Sequence, residues 1–211
     1  MKLPFSKALI LAPHTDDGEF GCGGTISRLL REGCEVIYVA FSDCKESVPK
    51  GFDENVLSRE MRKATAVLGV KPENVLLLDY KVRYFTSERQ RILEDMVRLN
   101  RKYQPDVVFT PCSQDFHQDH NTIHKESIRA FKRINIMGYE LPWNNLVLPS
   151  QGIIKLQAQD VDHKIGAIAE YKSQMKRGYS SSEFIRSLAS TRGMRIGVEY
   201  AEAFETIRVV L

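Results

Sequence analysis

Apolar runs and amphipathic segments alternate along the first two thirds of this chain. Four runs rich in aliphatic and β-branched residues predict strands, at positions 8–12, 36–41, 75–78 and 107–110. The segments between and after them place apolar residues at helical spacing and predict helices, at 25–32, at 55–68, between Ser87 and Pro105, and at 121–133. Because parallel strands need crossover connections, this order predicts a parallel α/β sheet.

The last third departs from this rhythm. It predicts short strands near 134–137 and 153–156, helices from Asp160 to Met175 and over 183–190 behind Ser181 or Ser182, and an edge strand over 206–210. We expect one domain over residues 1–211, with an α/β core at 1–133 and a cap and sheet-closing segment at 134–211. The expected fold class is α/β, a Rossmann-like three-layer sandwich with a mostly parallel central sheet and an irregular C-terminal cap region.

Composition narrows the class of protein. Hydrophobic residues make up 43% of the 211 residues and charged residues 27%, as in ordinary globular proteins. The formal net charge of +3 is too small to favour a nucleic acid or a membrane surface as partner. The first apolar run is shorter than the ~7 residues of a signal-peptide core, so we expect a cytoplasmic location. The 4 cysteines have no CxxC spacing, which indicates free thiols.

Candidate chemistry lies in two polar motifs that follow the first and fourth predicted strands. Pro13-His14-Thr15-Asp16-Asp17 leaves the first strand, and His117-Gln118-Asp119-His120 follows the fourth. If these strands are parallel neighbours, both loops lie at the sheet edge where open α/β folds build their sites. Two histidines and one aspartate can then converge as a three-ligand metal site with one position open for water, which is the ligand pattern of catalytic zinc.

The first motif also contains a second carboxylate, which a three-ligand metal site does not need. In a turn, His14 and Asp17 can face one point while Asp16 faces elsewhere, as a general base beside a metal-bound water should. The structural alternative is that Thr15, Asp16 and Asp17 only cap a turn, and that Asp119 is the N-cap of the following helix.

The second motif offers two histidines three positions apart. One of His117 and His120 can bind metal while the other points at substrate, and Asp119 can accept the second N–H of an imidazole. We expect His124, one helical turn beyond His120, to support the site from behind or to lie on the helix surface. The isolated His163 is expected to be structural.

The glycine-rich segment Gly21-Cys22-Gly23-Gly24-Thr25 permits a different interpretation, a phosphate-binding loop. Its match to a dinucleotide-binding fingerprint is poor, because Ile26 stands at the third glycine position and the strand ends about eight residues earlier. We expect instead that these glycines allow other groups to approach the backbone closely beneath the metal loop.

These motifs resemble those of the PIG-L/LmbE family of zinc-dependent N-deacetylases. Ala12-Pro13-His14-Thr15-Asp16-Asp17, with the glycine-rich segment after it, is similar to the family's first motif, and positions 117–120 are similar to its H-x-D-H motif. Further similarities span nearly the whole chain, at Arg59-Glu60, Leu68-Gly69-Val70, Tyr171-Lys172-Ser173-Gln174 and Tyr200-Ala201-Glu202-Ala203-Phe204. Two positions depart from the family pattern: Thr15 replaces a proline, and Gly18 stands where many members have glutamate, with Glu19 one place later.

The resemblance implies a set of roles. Zinc would be held by His14, Asp17 and His120, with iron or cobalt as alternatives. Asp16 would be the general base, and His117 would stabilise the tetrahedral oxyanion or assist the leaving amine, with Asp119 tuning His117.

The resemblance also implies a substrate, an N-acetylglucosamine-type sugar, free or conjugated, from which the acetyl group is removed. Arg59, Tyr139 and Trp143 are expected to contact this sugar, with Tyr179 as a further aromatic candidate, although ordinary packing roles remain the alternative. Family members often form trimers or hexamers, so a homo-oligomer is expected. A metal-dependent amidase or esterase on a non-sugar acyl group is the second hypothesis. A non-catalytic sugar- or nucleotide-binding protein is the third, and it leaves the spare carboxylate of Asp16 without a purpose.

Overall fold

Seven strands form one mixed sheet in the computed structural model, which describes residues 2–147, 150–174 and 178–210. The strands are β1 (Lys7–Ala12), β2 (Glu35–Ala40), β3 (Val75–Leu77), β4 (Val107–Pro111), β5 (Asn135–Tyr139), β6 (Gly152–Leu156) and β7 (Tyr200–Arg208). Their order across the sheet is β3-β2-β1-β4-β5-β7-β6. The first five strands pair in parallel, and β7 runs antiparallel between β5 and β6. The predicted mostly parallel α/β sheet is confirmed.

Helices cover both faces of the sheet. They are α1 (Asp17–Arg31), α2 (Val56–Leu68), α3 (Arg89–Tyr103), α4 (Gln118–Ala130), α5 (Ala158–Ala169) and α6 (Ser182–Met194). Side chains alternate along β1, so Ala8 and Ile10 belong to the core shared with α1, α2, α5 and α6, while Leu9 and Leu11 belong to the core shared with α3 and α4. Both faces of the central strands are therefore buried, which is why these strands are almost continuously apolar in sequence.

Helix α1 begins earlier than predicted. The sequence predicted a helix from residue 25, whereas α1 starts at Asp17 and passes through the glycine-rich segment with a kink at Cys22 (φ −146°, ψ 27°). Packing outweighs the low helix propensity of glycine here: a Cβ at Gly21 would lie 2.2 Å from the Tyr139 ring. Beyond the kink, the N–H groups of Gly24 and Thr25 donate to the Glu202 carboxylate at 3.1 and 2.7 Å. Close approach to the glycines is confirmed.

The C-terminal segment differs from prediction in its edge strand and in helix α5. β7 is an interior strand, so the prediction of an edge strand at 206–210 is wrong, and β6 takes the edge instead. Helix α5 has Gln157 as its N-cap, with Asp160 reciprocating in a capping box, and it ends at Ala169. Its predicted end at Met175 lies outside the described residues. Ser181 caps α6 as expected, through its side chain and the Phe184 N–H.

The strand order positions the two histidine motifs. β1 and β4 are parallel neighbours, with Ala8 opposite Val107 and Ile10 opposite Phe109. Their carboxyl ends therefore release the first and second motifs side by side at one edge of the sheet. Within the described residues, none of the helices has the length and apolar character needed to cross a membrane.

Candidate metal centre and its pocket

Three ligand atoms from the two motifs converge at the carboxyl ends of β1 and β4. His14 Nδ1 lies 3.0 Å from Asp17 Oδ2 and 3.1 Å from His120 Nε2, and His120 Nε2 lies 3.2 Å from Asp17 Oδ2. His117 is close by, because one ring nitrogen from each of the three histidines falls within 4.8 Å of the others. The residues predicted to hold a metal are thus brought together, and His117 stands beside them.

Buried carboxylates fix which ring nitrogens face this centre. His14 Nε2 is 3.0 Å from Asp119 Oδ2, and His120 Nδ1 is 2.7 Å from Asp115 Oδ2. Each carboxylate accepts an N–H from the outer ring nitrogen and leaves the inner nitrogen directed at Asp17. A carboxylate behind a histidine in this way sets its tautomer and raises its basicity, which is the usual arrangement around metal-binding histidines.

The electrostatics of the cluster favour a positive charge at its centre. Burial by itself would lower the pKa of His120, but Asp17 and Asp115 outweigh it and raise the pKa to about 10. His14 shows the same direction, since Asp17 and Asp119 raise its pKa against the effect of burial. The pKa of Asp17 is well below its ordinary value, because His120 and His14 overcome the burial of the carboxylate. Donors arranged in this way suit a bound cation.

His117 occupies the opposite electrostatic situation from His120, although their rings stack 4.5 Å apart. Its Nδ1 accepts the backbone N–H of Asp119 at 3.2 Å, which leaves Nε2 to carry the proton of the neutral ring. Burial first, and then the charges of His120 and His14, lower the pKa of His117 to about 4. At neutral pH the ring is therefore an uncharged hydrogen-bond donor.

The cluster opens into a pocket of about 350 Å³. Asp16 lines it and is half-buried, and its side chain makes no capping hydrogen bond to α1, so helix capping does not account for its carboxylate. Trp143, Tyr179 and Gln174 supply another part of the lining, and the Trp143 and Tyr179 rings stack with their centroids 3.8 Å apart. A carboxylate, a histidine cluster and an aromatic wall thus meet in one cavity.

Comparison with known proteins identifies the family. The family model PIG-L, described as GlcNAc-PI de-N-acetylase, matches residues 9–131, which contain both histidine motifs. The chain belongs to the PIG-L family.

Individual PIG-L relatives extend this similarity over most of the chain. A protein of Escherichia coli (strain K12) named "Uncharacterized deacetylase YaiS" is 25% identical over 169 residues, or 78% of this chain and 90% of that protein. The diacetylchitobiose deacetylase of Thermococcus kodakarensis is 30% identical over 122 residues, but this covers only 54% of this chain and 45% of that enzyme. The solved structure of the N,N'-diacetylchitobiose deacetylase from Pyrococcus horikoshii, in complex with its inhibitor MPG, superimposes with a TM-score of 0.79 at 26% identity, covering 95% of this chain and 83% of that one.

The departure from the PIG-L pattern at Gly18 has a steric cause. A Cβ at this position would lie 2.5 Å from the Tyr38 ring, so a larger side chain would require that ring to move. Glu19 instead lies between the Tyr38 and Tyr171 hydroxyls, and burial raises its pKa to about 8. The same two hydroxyls lie 3.0 and 2.6 Å from the Thr15 carbonyl. This buried cluster fixes the Thr15–Asp16 peptide, which lies between the motif residues His14 and Asp17.

Three expectations about site residues need correction. The Asp119 carboxylate contacts His14 and the Arg83 N–H (2.7 Å) and not the His117 ring, which accepts the Asp119 backbone N–H; its charge still acts on His117 by raising the pKa of that ring against the effect of burial. Tyr139 is 1% exposed and donates its hydroxyl to the Leu11 carbonyl at 2.9 Å, so it packs beneath the site and has no face for a sugar.

Arg59 is the third. It is an exposed residue of α2 paired with Asp53 at 2.8 Å, and it is not among the residues lining the pocket.

His124 is buried, with Nδ1 2.9 Å from the Pro111 carbonyl, and the exposed His163 contacts Ser27 Oγ at 2.8 Å. Neither of these two histidines lines the pocket.

Sequence reasoning missed Asp115. Its Oδ2 holds the His120 ring through Nδ1, and its Oδ1 accepts the backbone N–H of His117 at 2.9 Å. One carboxylate therefore supports both histidines of the second motif. The available signal was its place two residues before His117, in the loop that leaves β4. Arg83 and Gln174 were also missed, because they reach the pocket from segments distant in sequence.

Proposed function

We propose that this PIG-L protein is a metal-dependent hydrolase that removes the acetyl group from an N-acetylated amino sugar. The observation that carries the proposal is the convergence of His14 Nδ1, Asp17 Oδ2 and His120 Nε2, with separations of 3.0–3.2 Å, in the pocket that Asp16 also lines. Ligands held about 2.0 Å from a tetrahedral metal ion stand roughly 3.3 Å apart, so the donor set fits one ion with little adjustment.

His14, Asp17 and His120 would hold this ion. When bound, a divalent ion of this kind polarises an acyl oxygen and lowers the pKa of water to about 7. His117 is the alternative third ligand by distance. The Asp17 oxygen lies 3.0 and 3.2 Å from the other two donor atoms, and the Nδ1 of His117 already accepts a hydrogen bond. We therefore assign Asp17 to the ion and His117 to the substrate.

Asp16 acts as the general base. Its neighbour Asp17 is directed at the centre, while Asp16 lines the pocket where substrate and water meet. The carboxylate accepts a proton as water attacks the acetyl carbon, and it returns the proton to the departing amine when the C–N bond breaks. Acetate and the free amino sugar are the products, so the reaction balances without a further reactant.

His117 stabilises the charge that develops on the acetyl oxygen. Because Nδ1 accepts the Asp119 N–H, the ring presents Nε2–H as a donor from the pocket wall. The lowered pKa keeps it a neutral donor at physiological pH. A fixed donor that needs no rearrangement during the reaction lowers the barrier.

An amino sugar is the substrate class that the relatives favour. Two of the compared proteins are named diacetylchitobiose deacetylases, one of Thermococcus kodakarensis and one from Pyrococcus horikoshii. The half-buried rings of Trp143 and Tyr179 in the pocket offer an apolar surface suited to the C–H face of a pyranose ring.

The test is acetate release from the methyl glycoside of N-acetylglucosamine, measured together with metal content. Wild-type protein should contain about one transition-metal ion per chain, lose activity with a chelator and regain it on adding zinc, iron(II) or cobalt. His120→Ala should lose both metal and activity, while His163→Ala, an exposed histidine away from the pocket, is the matched control and should keep both. Full metal occupancy in His120→Ala would refute the ligand assignment. Release of acetate only from a phenyl acetate ester would favour the esterase hypothesis.

A further inference from the structure

Arg83 has an unusual backbone conformation beside the metal centre. Its φ is +71°, and among the described residues only Cys44, Arg83 and Gln104 combine a positive φ with a side chain. Cys44 and Arg83 both line the pocket. L-residues seldom adopt this left-handed region, and such residues concentrate at functional sites where the surrounding structure holds them in place.

The anchor for this conformation is the histidine cluster itself. The Arg83 N–H donates to Asp119 Oδ2 at 2.7 Å, and that oxygen also lies 3.0 Å from His14 Nε2. A glycine would supply the same N–H at this φ without strain. The backbone contact therefore accounts for the conformation but not for the arginine side chain.

The Arg83 guanidinium has no acidic partner in the part of the chain that the structure describes. The residue is exposed, and none of the ion pairs or side-chain hydrogen bonds among described residues involves its guanidinium. Lys45, which lies between the pocket residues Cys44 and Ser47 in sequence, is by contrast paired with Asp43 at 3.0 Å. An unpaired guanidinium at a cavity can bind a planar anion with two parallel hydrogen bonds.

The sheet order places Arg83 on one side of the histidine cluster and the aromatic wall on the other. β1 and β4, which release the two histidine motifs, are central. Arg83 follows β3, which lies beyond β2 on one side, whereas Trp143 follows β5 on the opposite side. A sugar whose acetamide is at the cluster therefore has an aromatic surface on one side and a cation on the other.

We propose that Arg83 binds an anionic group, a carboxylate or a phosphate, on the part of the substrate beyond the amino sugar. This inference rests on the proposed function and names the substrate class more closely as an acidic conjugate. The pocket also contains Asp16 and Asp17, whose charges would disfavour an anion elsewhere in it. Arg83 thus selects both for the acidic group and for the orientation in which that group lies away from the carboxylates.

The experiment compares three N-acetylglucosamine probes that differ in the group on C1: the 1-phosphate, the carboxymethyl glycoside and the neutral propyl glycoside. The measured quantity is the ratio of kcat/KM for each anionic probe to that of the neutral probe. Wild type should favour at least one anionic probe, mainly through KM. Arg83→Gln should lower that ratio roughly 10- to 100-fold, as expected for loss of a charged hydrogen-bonded contact. If Arg83→Gln loses the preference for only one of the two anionic probes, that probe identifies whether Arg83 binds phosphate or carboxylate.

Two further variants make the result decisive. Arg83→Gly removes the side chain where glycine is unstrained, so it serves if Arg83→Gln folds poorly. Lys81→Gln is the matched control, because Lys81 is exposed on the same loop, lies over the Tyr84 ring at 4.8 Å and does not line the pocket. Three results would each overturn the proposal. The first is a wild type whose kcat/KM is the same for the anionic and neutral probes, and the second is a preference for an anionic probe that survives in both Arg83 variants. The third is a loss of this preference in Lys81→Gln as large as in Arg83→Gln.

Failure of the proposed function gives a separate outcome. If no probe releases acetate, the deacetylase proposal is wrong, and calorimetric Kd values for the same probes then decide the role of Arg83. Tighter binding of an anionic probe that is lost in Arg83→Gln supports it. Equal Kd values for anionic and neutral probes, or no binding by any probe, overturn it.

Discussion

Carboxylates tie β1 and β4 together at both ends, but with different hydrogen-bond donors. At the amino ends, one oxygen of Asp106 accepts the Ser6 N–H at 2.7 Å, the Ser6 hydroxyl at 2.6 Å and the Lys7 N–H at 2.8 Å. At the carboxyl ends, Asp119 joins the two segments by accepting from the His14 ring, and Asp115 accepts from the His120 ring within the segment that follows β4.

The donors decide what each end can do. The two backbone N–H groups at the Asp106 end each donate their one hydrogen and offer nothing further to a ligand, and the hydrogen of the Ser6 hydroxyl is used as well, so we regard this end as a structural tie. An imidazole held by a carboxylate still has a second nitrogen, and at the carboxyl end these nitrogens face a pocket. The same residue type therefore stabilises the sheet at one end and prepares a reactive site at the other.

The largest difference between the two ends is expected from a matched pair of aspartate-to-asparagine variants. Asp16→Asn should lower kcat by about 10²–10⁴-fold, because the amide cannot accept the proton of the attacking water. Metal content and the free energy of unfolding should stay near wild type. Asp106→Asn should show the reverse pattern, with kcat near wild type and lower stability. If Asp16→Asn retains activity within a few-fold, the base lies elsewhere and Asp119 becomes the next candidate.

A His117 variant tests which residues at the carboxyl ends of β1 and β4 bind metal and which act on the substrate. His117→Ala should lower kcat by roughly 10²–10³-fold, the usual effect of removing one donor to a developing oxyanion. Metal stoichiometry should remain near one, since the assigned ligands are His14, Asp17 and His120. Elemental analysis beside steady-state kinetics checks this. Loss of metal together with activity would make His117 a ligand, in agreement with the alternative set of three histidines.

Asp115 tests whether a carboxylate behind a histidine matters for the centre. Asp115→Asn removes the charge that holds His120 Nδ1 and should weaken metal affinity by roughly 10- to 100-fold. Competition with a chelating dye measures this affinity directly, and Asp106→Asn serves again as the control with an unchanged value. An Asp115→Asn protein that binds metal as tightly as wild type would show that the His120 orientation is set by packing alone.

Local patterns made the location of the candidate site predictable from sequence. His14, Asp16 and Asp17 lie in one turn after a buried strand, and His117, Asp119 and His120 lie in another. Apolar runs fixed the first four strands, so the parallel order brought the two turns together.

The remaining features of the fold and the site depend on long-range packing, so local sequence could not predict them. Nothing local to Tyr139 shows that it packs against Gly21, and nothing local to residues 206–210 shows that β6 pairs outside β7. The start of α1 was missed because glycine lowers helix propensity, whereas here the glycines admit the side chains that cover them. Asp115 is a single polar residue in a loop, and its role depends on the position of the His120 ring.

The smallest effect on catalysis, and a distinct effect on stability, is expected at Asp106. Burial tends to raise the pKa of Asp106, but hydrogen bonds from Ser6 and Lys7 and the charge of Lys7 outweigh it, so the pKa lies below its ordinary value. A group whose pKa is lowered by folding stabilises the protein above the unfolded-state pKa of about 3.9, and this contribution is lost as the pH falls through the folded-state pKa. Asp106→Asn should therefore reduce the free energy of unfolding at pH 7 by about 0.5–1.5 kcal/mol, a small value because solvent screens this partly exposed carboxylate. Urea unfolding at a series of pH values should show the difference from wild type shrinking below about pH 4. A difference that stays constant down to pH 3 would mean that the carboxylate charge contributes nothing and that only the shape of the side chain matters.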